Sequence, residues 1–290
     1  MILLWFVPLL SLPLSARFTD SFTPNVRLPS HLQLKVQFEL PQSPLSLVNL
    51  STGSTYLVDF DHTDSSPQST PRNLLKACRT DAAGGILLDL TAGVGQDSGL
   101  LYFSRLWGTI ISVERDETIA ALLKDGVRRL LLQDDEKDDE KEELEGHSKN
   151  TTRWDVVNCD GVQFLEDYRS EHGGNQNQQH LGVGGGGGGS QLHVSCIYID
   201  CMFNSSKKSK SSAKLGMQMI RDILVDSSGV HSSNGDENTQ RLLKASLEFA
   251  SRQPSPCKVV LKRGKNSPTV LSPTYVVGAS GRVRFDCYQR

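Results

Sequence analysis

Four acids stand where four apolar runs end: Asp89 after Ile86-Leu87-Leu88, Glu114 after Thr109 to Val113, Asp160 just beyond Trp154 to Asn158, and Asp200 at the close of His193 to Asp200. Between the first two lies a small-residue turn, Thr91-Ala92-Gly93-Val94-Gly95, followed by Gln96-Asp97. An acid at a strand tip accepts hydrogen bonds from ribose hydroxyls. Gly93 and Gly95 can take positive φ and let a ligand approach the backbone. The chemistry these residues suit is the holding of a nucleoside-bearing cofactor. The turn is not GxGxxG, because no third glycine follows Gln96-Asp97 in register. An acidic strand end before such a turn suits S-adenosylmethionine, which has no pyrophosphate to cradle. Another nucleotide-binding fold, or a turn without a ligand, stays open at this point.

Asp200 begins the run Asp200-Cys201-Met202-Phe203. Its place after the fourth strand resembles that of the (Asp/Asn)-Pro-Pro-(Tyr/Phe) loop of many amino-methyltransferases of nucleic acids. The resemblance implies an acid or backbone carbonyl accepting hydrogen bonds from an exocyclic amine, and an aromatic stacking on an extracted base. Asp200 and Phe203 are therefore the candidate catalytic pair. Phe203 as an ordinary core aromatic is the competing reading. A nucleophilic Cys201 would need a depressed thiol pKa and a partner base, and neither is visible. Lys207, Lys208, Lys210 and Lys214 follow closely and suit phosphate contact, or else form a solvated lysine-rich loop.

The elements that must position these residues alternate. Apolar and β-branched runs read as strands at Ile86 to Asp89, Thr109 to Glu114, Trp154 to Asn158, His193 to Asp200, Lys258 to Lys262 and Arg282 to Tyr288. The last reads as an edge strand or a hairpin member. Helical spacing is present at Asn73 to Arg79, Thr118 to Leu132, Val162 to Tyr168, Leu215 to Val225 and Thr239 to Ser251. This alternation predicts an α/β fold with a doubly wound, mainly parallel sheet, which binds ligands outside the carboxyl ends of its strands. Before it, Leu32 to Phe60 alternates apolar and polar residues and predicts short antiparallel strands. The expected division is a leader over 1–35, a β-rich extension over 36–80 and a catalytic domain over 81–290. Low-complexity insertions are expected near 133–150 and 171–191, the first disordered by its charge and the second by its glycine run.

The net charge of −2 averages uneven parts. Asp134 to Glu145 carries nine acids and two lysines, whereas Asn204 to Arg290 carries fifteen basic and six acidic residues. A basic final third suits a nucleic-acid partner, and solubilising surface is the plainer alternative. The six cysteines form no CxxC and no zinc-like cluster, which argues for a reducing compartment and against a structural metal. Met1 to Ala16 is apolar, too short to span a bilayer comfortably and broken by Pro8 and Pro13, so no membrane association of the mature form is expected. Arg17 to Lys35 is rich in Ser, Thr, Pro and Arg. Signal-like then transit-like composition predicts a complex plastid, with a mitochondrion or a buried N-terminal strand as alternatives.

LLDLTAGVGQD, VERDETIAALLKDGVRR, YIDCMF with its lysine-rich sequel, VVLKR and RFDCY together resemble, in order and spacing, the bacterial small-subunit ribosomal RNA guanine-N2 methyltransferase J family. The resemblance covers Leu45 to Tyr288. It implies a class I S-adenosylmethionine-dependent methyltransferase fold, with small-subunit rRNA or the ribosomal subunit as partner. It implies that Gln96-Asp97 and Glu114-Arg115 line the cofactor site beside Asp89, Gly93 and Gly95, and that Asp160-Gly161 flank the adenine. Asp200 would sit beside the methyl group, and Lys262 and Arg263 near the target nucleotide or its phosphates. The chain departs from the family in three places. Gln96 replaces an arginine. Asp200-Cys201-Met202-Phe203-Asn204 lacks two prolines. The run after Val58-Asp59-Phe60 lacks a basic glycine-rich segment. A catalytically weakened RNA-binding or ribosome-assembly factor, or a methyltransferase on a non-RNA substrate, are the alternative functions.

Overall fold

The computed structural model describes residues 28–36, 43–60, 69–81, 84–145, 152–172, 193–201, 215–228, 235–278 and 281–289. Most of the leader, most of the glycine-rich insertion, Phe203 and Lys207, Lys208, Lys210 and Lys214 lie outside the described residues.

The main sheet is built from β4 (Ile86–Asp89), β5 (Thr109–Glu114), β6 (Arg153–Asn158), β7 (Val194–Ile199), β8 (Lys258–Gly264), β9 (Tyr275–Val277) and β10 (Val283–Tyr288). Their order is β6-β5-β4-β7-β8-β10-β9. The first five strands of that row pair in parallel, and β10 pairs antiparallel with both β8 and β9. The final run is thus a hairpin member inside the sheet, and β9 forms the edge. The three-residue β9 is too short to show an alternating pattern, so its sequence did not announce it.

Continuous apolar runs become the central strands because both sheet faces are covered. All six residues of β7 are buried. Side chains alternate between faces with period two. Leu87, Ile110, Cys196, Tyr198, Val260 and Phe285 meet α1 (Ser69–Cys78), α2 (Gln96–Phe103), α3 (Glu117–Glu145) and α5 (Leu215–Ser228) through residues such as Leu74, Leu101, Leu122 and Ile220. Leu88, Val113, Ile197, Val259 and Leu261 meet Leu165 of α4 (Gly161–His172) and Leu243 and Phe249 of α6 (Gly235–Ser251). Each such fully buried aliphatic side chain contributes about 2 kcal/mol of transfer free energy.

Chain order reverses between β4 and β7: β4 leads outward through β5 to β6, and the chain then returns to place β7 on β4's other side. The carboxyl ends of β4 and β7 therefore diverge into a crevice at this switch point. By the two-residue period, Asp89, Tyr198, Asp200 and Lys262 fall on one face at that end of the sheet.

The N-terminal extension is an antiparallel sheet of β1 (Leu32–Val36), β2 (Leu45–Asn49) and β3 (Thr55–Tyr56). Strand β1 begins inside the segment assigned to the leader, because Leu32 is buried against the core. The extension docks on α3: Leu45 N–H donates to Asp125 Oδ2 at 3.0 Å, and Arg129 donates to the Val58 carbonyl. Gly126 allows this approach, since a Cβ there would lie 2.6 Å from Val58 Cγ1.

The acidic run expected to be disordered instead continues α3 as helix to Glu145. Its Glu and Lys residues are strong helix formers, and an already nucleated helix adds residues without a new nucleation cost. Among the described residues no helix is long and apolar enough to cross a membrane.

Candidate functional site

Asp89 organises the turn from beneath. It is 1% exposed. Its Oδ1 accepts the Thr91 N–H at 3.1 Å, and its Oδ2 accepts the Ser98 hydroxyl at 2.5 Å. Ser112 donates to Ser98 Oγ at 2.9 Å, and Trp154 Nε1 donates to Ser112 Oγ at 3.0 Å. One carboxylate thereby ties β4, α2, β5 and β6 together. Burial pushes the Asp89 carboxyl up to about 7, against the opposing hydrogen bonds from Ser98 and Thr91. A carboxyl raised in the folded state holds its proton longer there than in the unfolded chain. Its contribution favours folding at acid pH and is lost as pH climbs from about 4 to about 7. Asp89→Asn is expected to flatten that part of the stability profile. Thermal unfolding of both proteins across this window checks it, and parallel profiles would sink the assignment.

Glu114 closes the turn from the side. Its Oε2 accepts the Gly93 N–H at 2.8 Å and its Oε1 the Asp116 N–H at 2.7 Å. Burial raises its pKa, while the bonds from Asp116 and Gly93 pull it down. Gly93 and Gly95 hold φ of 54° and 77°, the left-handed region that side chains resist. Glu114 thus shapes the glycine turn as well as standing at the strand tip. Glu114→Ala removes both supports, and cofactor affinity is expected to fall at least tenfold, or about 1.4 kcal/mol. Isothermal titration would read this directly, and unchanged affinity would move the ribose contact elsewhere.

Asp89, Thr91, Ala92, Val94, Gln96, Asp97, Tyr198, Asp200 and Lys262 line a cleft of about 260 Å³ at the switch point. Within it, Lys262 Nζ bridges two acids, 2.6 Å from Asp97 Oδ2 and 2.9 Å from Asp200 Oδ2. The Tyr198 hydroxyl donates to the same Asp97 oxygen at 2.5 Å. Asp200 N–H donates to Thr91 Oγ1 at 2.6 Å, which pins the β7 loop to the β4 turn. Burial works to lower the Lys262 pKa, but the charges of Asp200 and Asp97 overrule it and raise it above the ordinary lysine value. Burial, with Asp97 and Asp200 nearby, drives the Tyr198 phenol up as well, so it stays a donor.

Asp89, Gln96, Asp97, Asp200 and Lys262, singled out from sequence, therefore meet in one cleft, with Gly93, Gly95 and Glu114 forming the turn above it. Lys262 faces the acids rather than solvent. Thr91 and Tyr198 were missed. Tyr198 stands two residues before Asp200, so strand periodicity offered a signal for it.

Arg115, Asp160 and Gly161 do not line this cleft. Asp160 Oδ1 caps α4 through Val162 N–H at 3.0 Å, and its Oδ2 lies 3.4 Å from Arg241. Gly161 fits tightly, since a Cβ there would lie 3.0 Å from the Leu90 carbonyl oxygen. Asn158 donates to the carbonyls of Glu114 and Arg115. The Arg263 side chain is 10% exposed and donates to the Pro268 carbonyl at 3.0 Å, so it is held in the fold. Burial raises the Cys201 thiol pKa, the opposite of what a nucleophile needs.

These features fit a compact cationic nucleoside cofactor. The cleft offers three acids and a single lysine among its lining residues, beside a turn that two glycines at positive φ make tight. Residues 25–166 match a family model described as "Putative SAM-dependent methyltransferase". The chain is 28% identical over 205 residues to the ribosomal RNA small subunit methyltransferase J of Dechloromonas aromatica, covering 70% of this chain and 64% of that protein. The protein of the same name from Saccharophagus degradans is also 28% identical over 205 residues, covering 70% and 62%. The match thus spans a little under two thirds of these relatives' own length. Among solved structures, the rRNA methyltransferase aviRa from Streptomyces viridochromogenes aligns with a TM-score of 0.43 at 12% identity, covering 80% of this chain and 89% of that one.

The sheet order and the glycine turn with its strand-end acids are those of the class I S-adenosylmethionine-dependent methyltransferase fold, and S-adenosylmethionine is the cofactor that this fold and the similarity over residues 25–166 imply. Within that class the chain is like the ribosomal RNA small subunit methyltransferase J proteins.

Proposed function

We propose that this protein methylates the exocyclic N2 of a guanosine in small-subunit ribosomal RNA, as a soluble enzyme addressed to a eukaryotic organelle, a complex plastid foremost. The observation that carries the reading is the placement of Asp200. It closes β7 at the switch point, fixed by Thr91 and Lys262, over the glycine turn. Similarity to the methyltransferase J proteins supports the choice of RNA and of guanine.

S-adenosylmethionine supplies an activated methyl group on a sulfonium. Glu114, Gly93 and Gly95 would hold its nucleoside part, and Gln96, Asp97 and Asp200 would face its cationic end. Asp200 accepts a hydrogen bond from the target amine and aims the nitrogen lone pair at the methyl carbon. Aiming is the larger part of the task, because near-attack alignment converts binding into rate. The ion pair with Lys262 holds Asp200 in place. Phe203 and the lysines at 207, 208, 210 and 214 are proposed to stack the base and contact phosphates.

The test is transfer from labelled S-adenosylmethionine to small ribosomal subunits that lack the modification, followed by nucleoside mass spectrometry. N2-methylguanosine is the expected product. A second reading, an assembly factor that keeps the fold without turnover, is favoured by one observation: the loop after Asp200 has lost both prolines that would preorganise it. Cofactor binding and subunit binding without product would select that reading.

A further inference from the structure

We infer that Lys262 is a specificity-determining residue: together with Asp200 it reads an exocyclic amine and the unprotonated ring nitrogen beside that amine. The inference rests on the methyltransferase reading above.

Lys262 is not placed as a phosphate contact. Its side chain is 15% exposed, and its ammonium sits on the cleft floor between Asp97 and Asp200. An ammonium has three donors and no acceptor. Two are directed at the carboxylates, which leaves one N–H for the cleft. The flanking acids hold the group charged, so it serves as a donor and not as a base.

The consequence is a matched pair. Asp200 presents an acceptor and Lys262, 2.9 Å away, presents a donor. Their complement is a ligand edge with a donor beside an acceptor. A nucleobase amine next to an unprotonated ring nitrogen has that edge, and guanine shows it as N2–H beside N3. A protein lysine or a simple alkyl amine has no adjacent acceptor. Such a substrate would leave the Lys262 N–H buried and unpaired, which a site built for hydrogen bonding rejects strongly. The pair thus separates base amines from other amines, a choice Asp200 alone does not make.

The test maps the methylated guanosine first. RNA carrying either guanosine or 3-deazaguanosine at that position is then ligated into the small-subunit rRNA. The deaza base replaces the N3 acceptor with C–H and keeps the amine. Wild type and Lys262→Met are compared on both RNAs, with Lys262→Gln as the variant that keeps a donor. Melting temperature and cofactor affinity are measured for each protein. Wild type is expected to lose roughly tenfold to a hundredfold in kcat/KM on the deaza RNA. Lys262→Met is expected to show a comparable loss on guanosine and no further loss on the deaza base, with partial recovery in Lys262→Gln. Equal rates of wild type on both RNAs would overturn the inference, as would losses that simply multiply. A folded, cofactor-bound wild type that transfers nothing to any guanine N2 would overturn the guanine reading itself, and the inference with it.

Discussion

Asp200→Ala is expected to lower kcat by about 10²–10³-fold while the protein stays folded and still binds its cofactor. The carboxylate is fixed from two sides, by its own N–H on Thr91 Oγ1 and by the Lys262 ammonium. Truncation removes the acceptor that orients the amine and leaves Lys262 with Asp97 alone. The ammonium then swings toward Asp97, so the loss exceeds that of one hydrogen bond. Asp200→Asn keeps an acceptor oxygen but loses the ion pair, and is expected to fall between the two. Single-turnover methyl transfer with saturating cofactor separates this from weakened binding. Full activity in Asp200→Ala would remove the residue from the mechanism and, with it, the main support for an amine substrate at this end of the sheet.

Gly95→Ala is the second large effect. Gly95 holds φ of 77° immediately before α2, and a Cβ there would lie 2.4 Å from Leu123 Cδ1 and 3.3 Å from Phe60 Cζ. The left-handed conformation costs an alanine about 1–2 kcal/mol. Leu123 must also shift within a packed core, because it is fully buried in α3. The combined cost is roughly 2–4 kcal/mol. The same turn faces the cofactor, so stability and affinity should fall together. Denaturant unfolding alongside a cofactor titration would show it. An alanine variant that binds normally and unfolds at the wild-type midpoint would mean that the turn relaxes freely.

The Asp89 and Glu114 predictions probe the same scaffold at lower amplitude. Asp89 holds the turn from within the core and titrates at about 7, whereas Glu114 holds it by two backbone N–H groups. A shared failure of all three variants in cofactor binding, with a smaller loss in Asp200→Ala, would mark the turn as one cooperative unit.

The strand-end acids and the glycine turn were legible because they are local. A run such as Ile86-Leu87-Leu88-Asp89 carries its own strand and its own termination. The alternation of strands and helices then left few topologies, since parallel crossovers are right-handed and ligands collect at the switch point. The early start of β1 and the helical acidic run were misread for a related reason. Composition alone does not record that Leu32 has a core to enter, or that α3 is already nucleated upstream.

Sequence by itself therefore determined the fold class, the cofactor turn and the acids Asp89, Glu114 and Asp200. Tertiary structure alone decided what Lys262 does. Lys262 lies 165 residues from Asp97 along the chain, and its spacing from either acid carries no periodic signal. Only the parallel pairing of β8 with β7 brings its ammonium beside Asp200, and only burial there makes two carboxylates its obligatory partners. Local chemistry writes strands, turns and their ends; the meeting of distant charges is set by strand order, which no single stretch of chain contains.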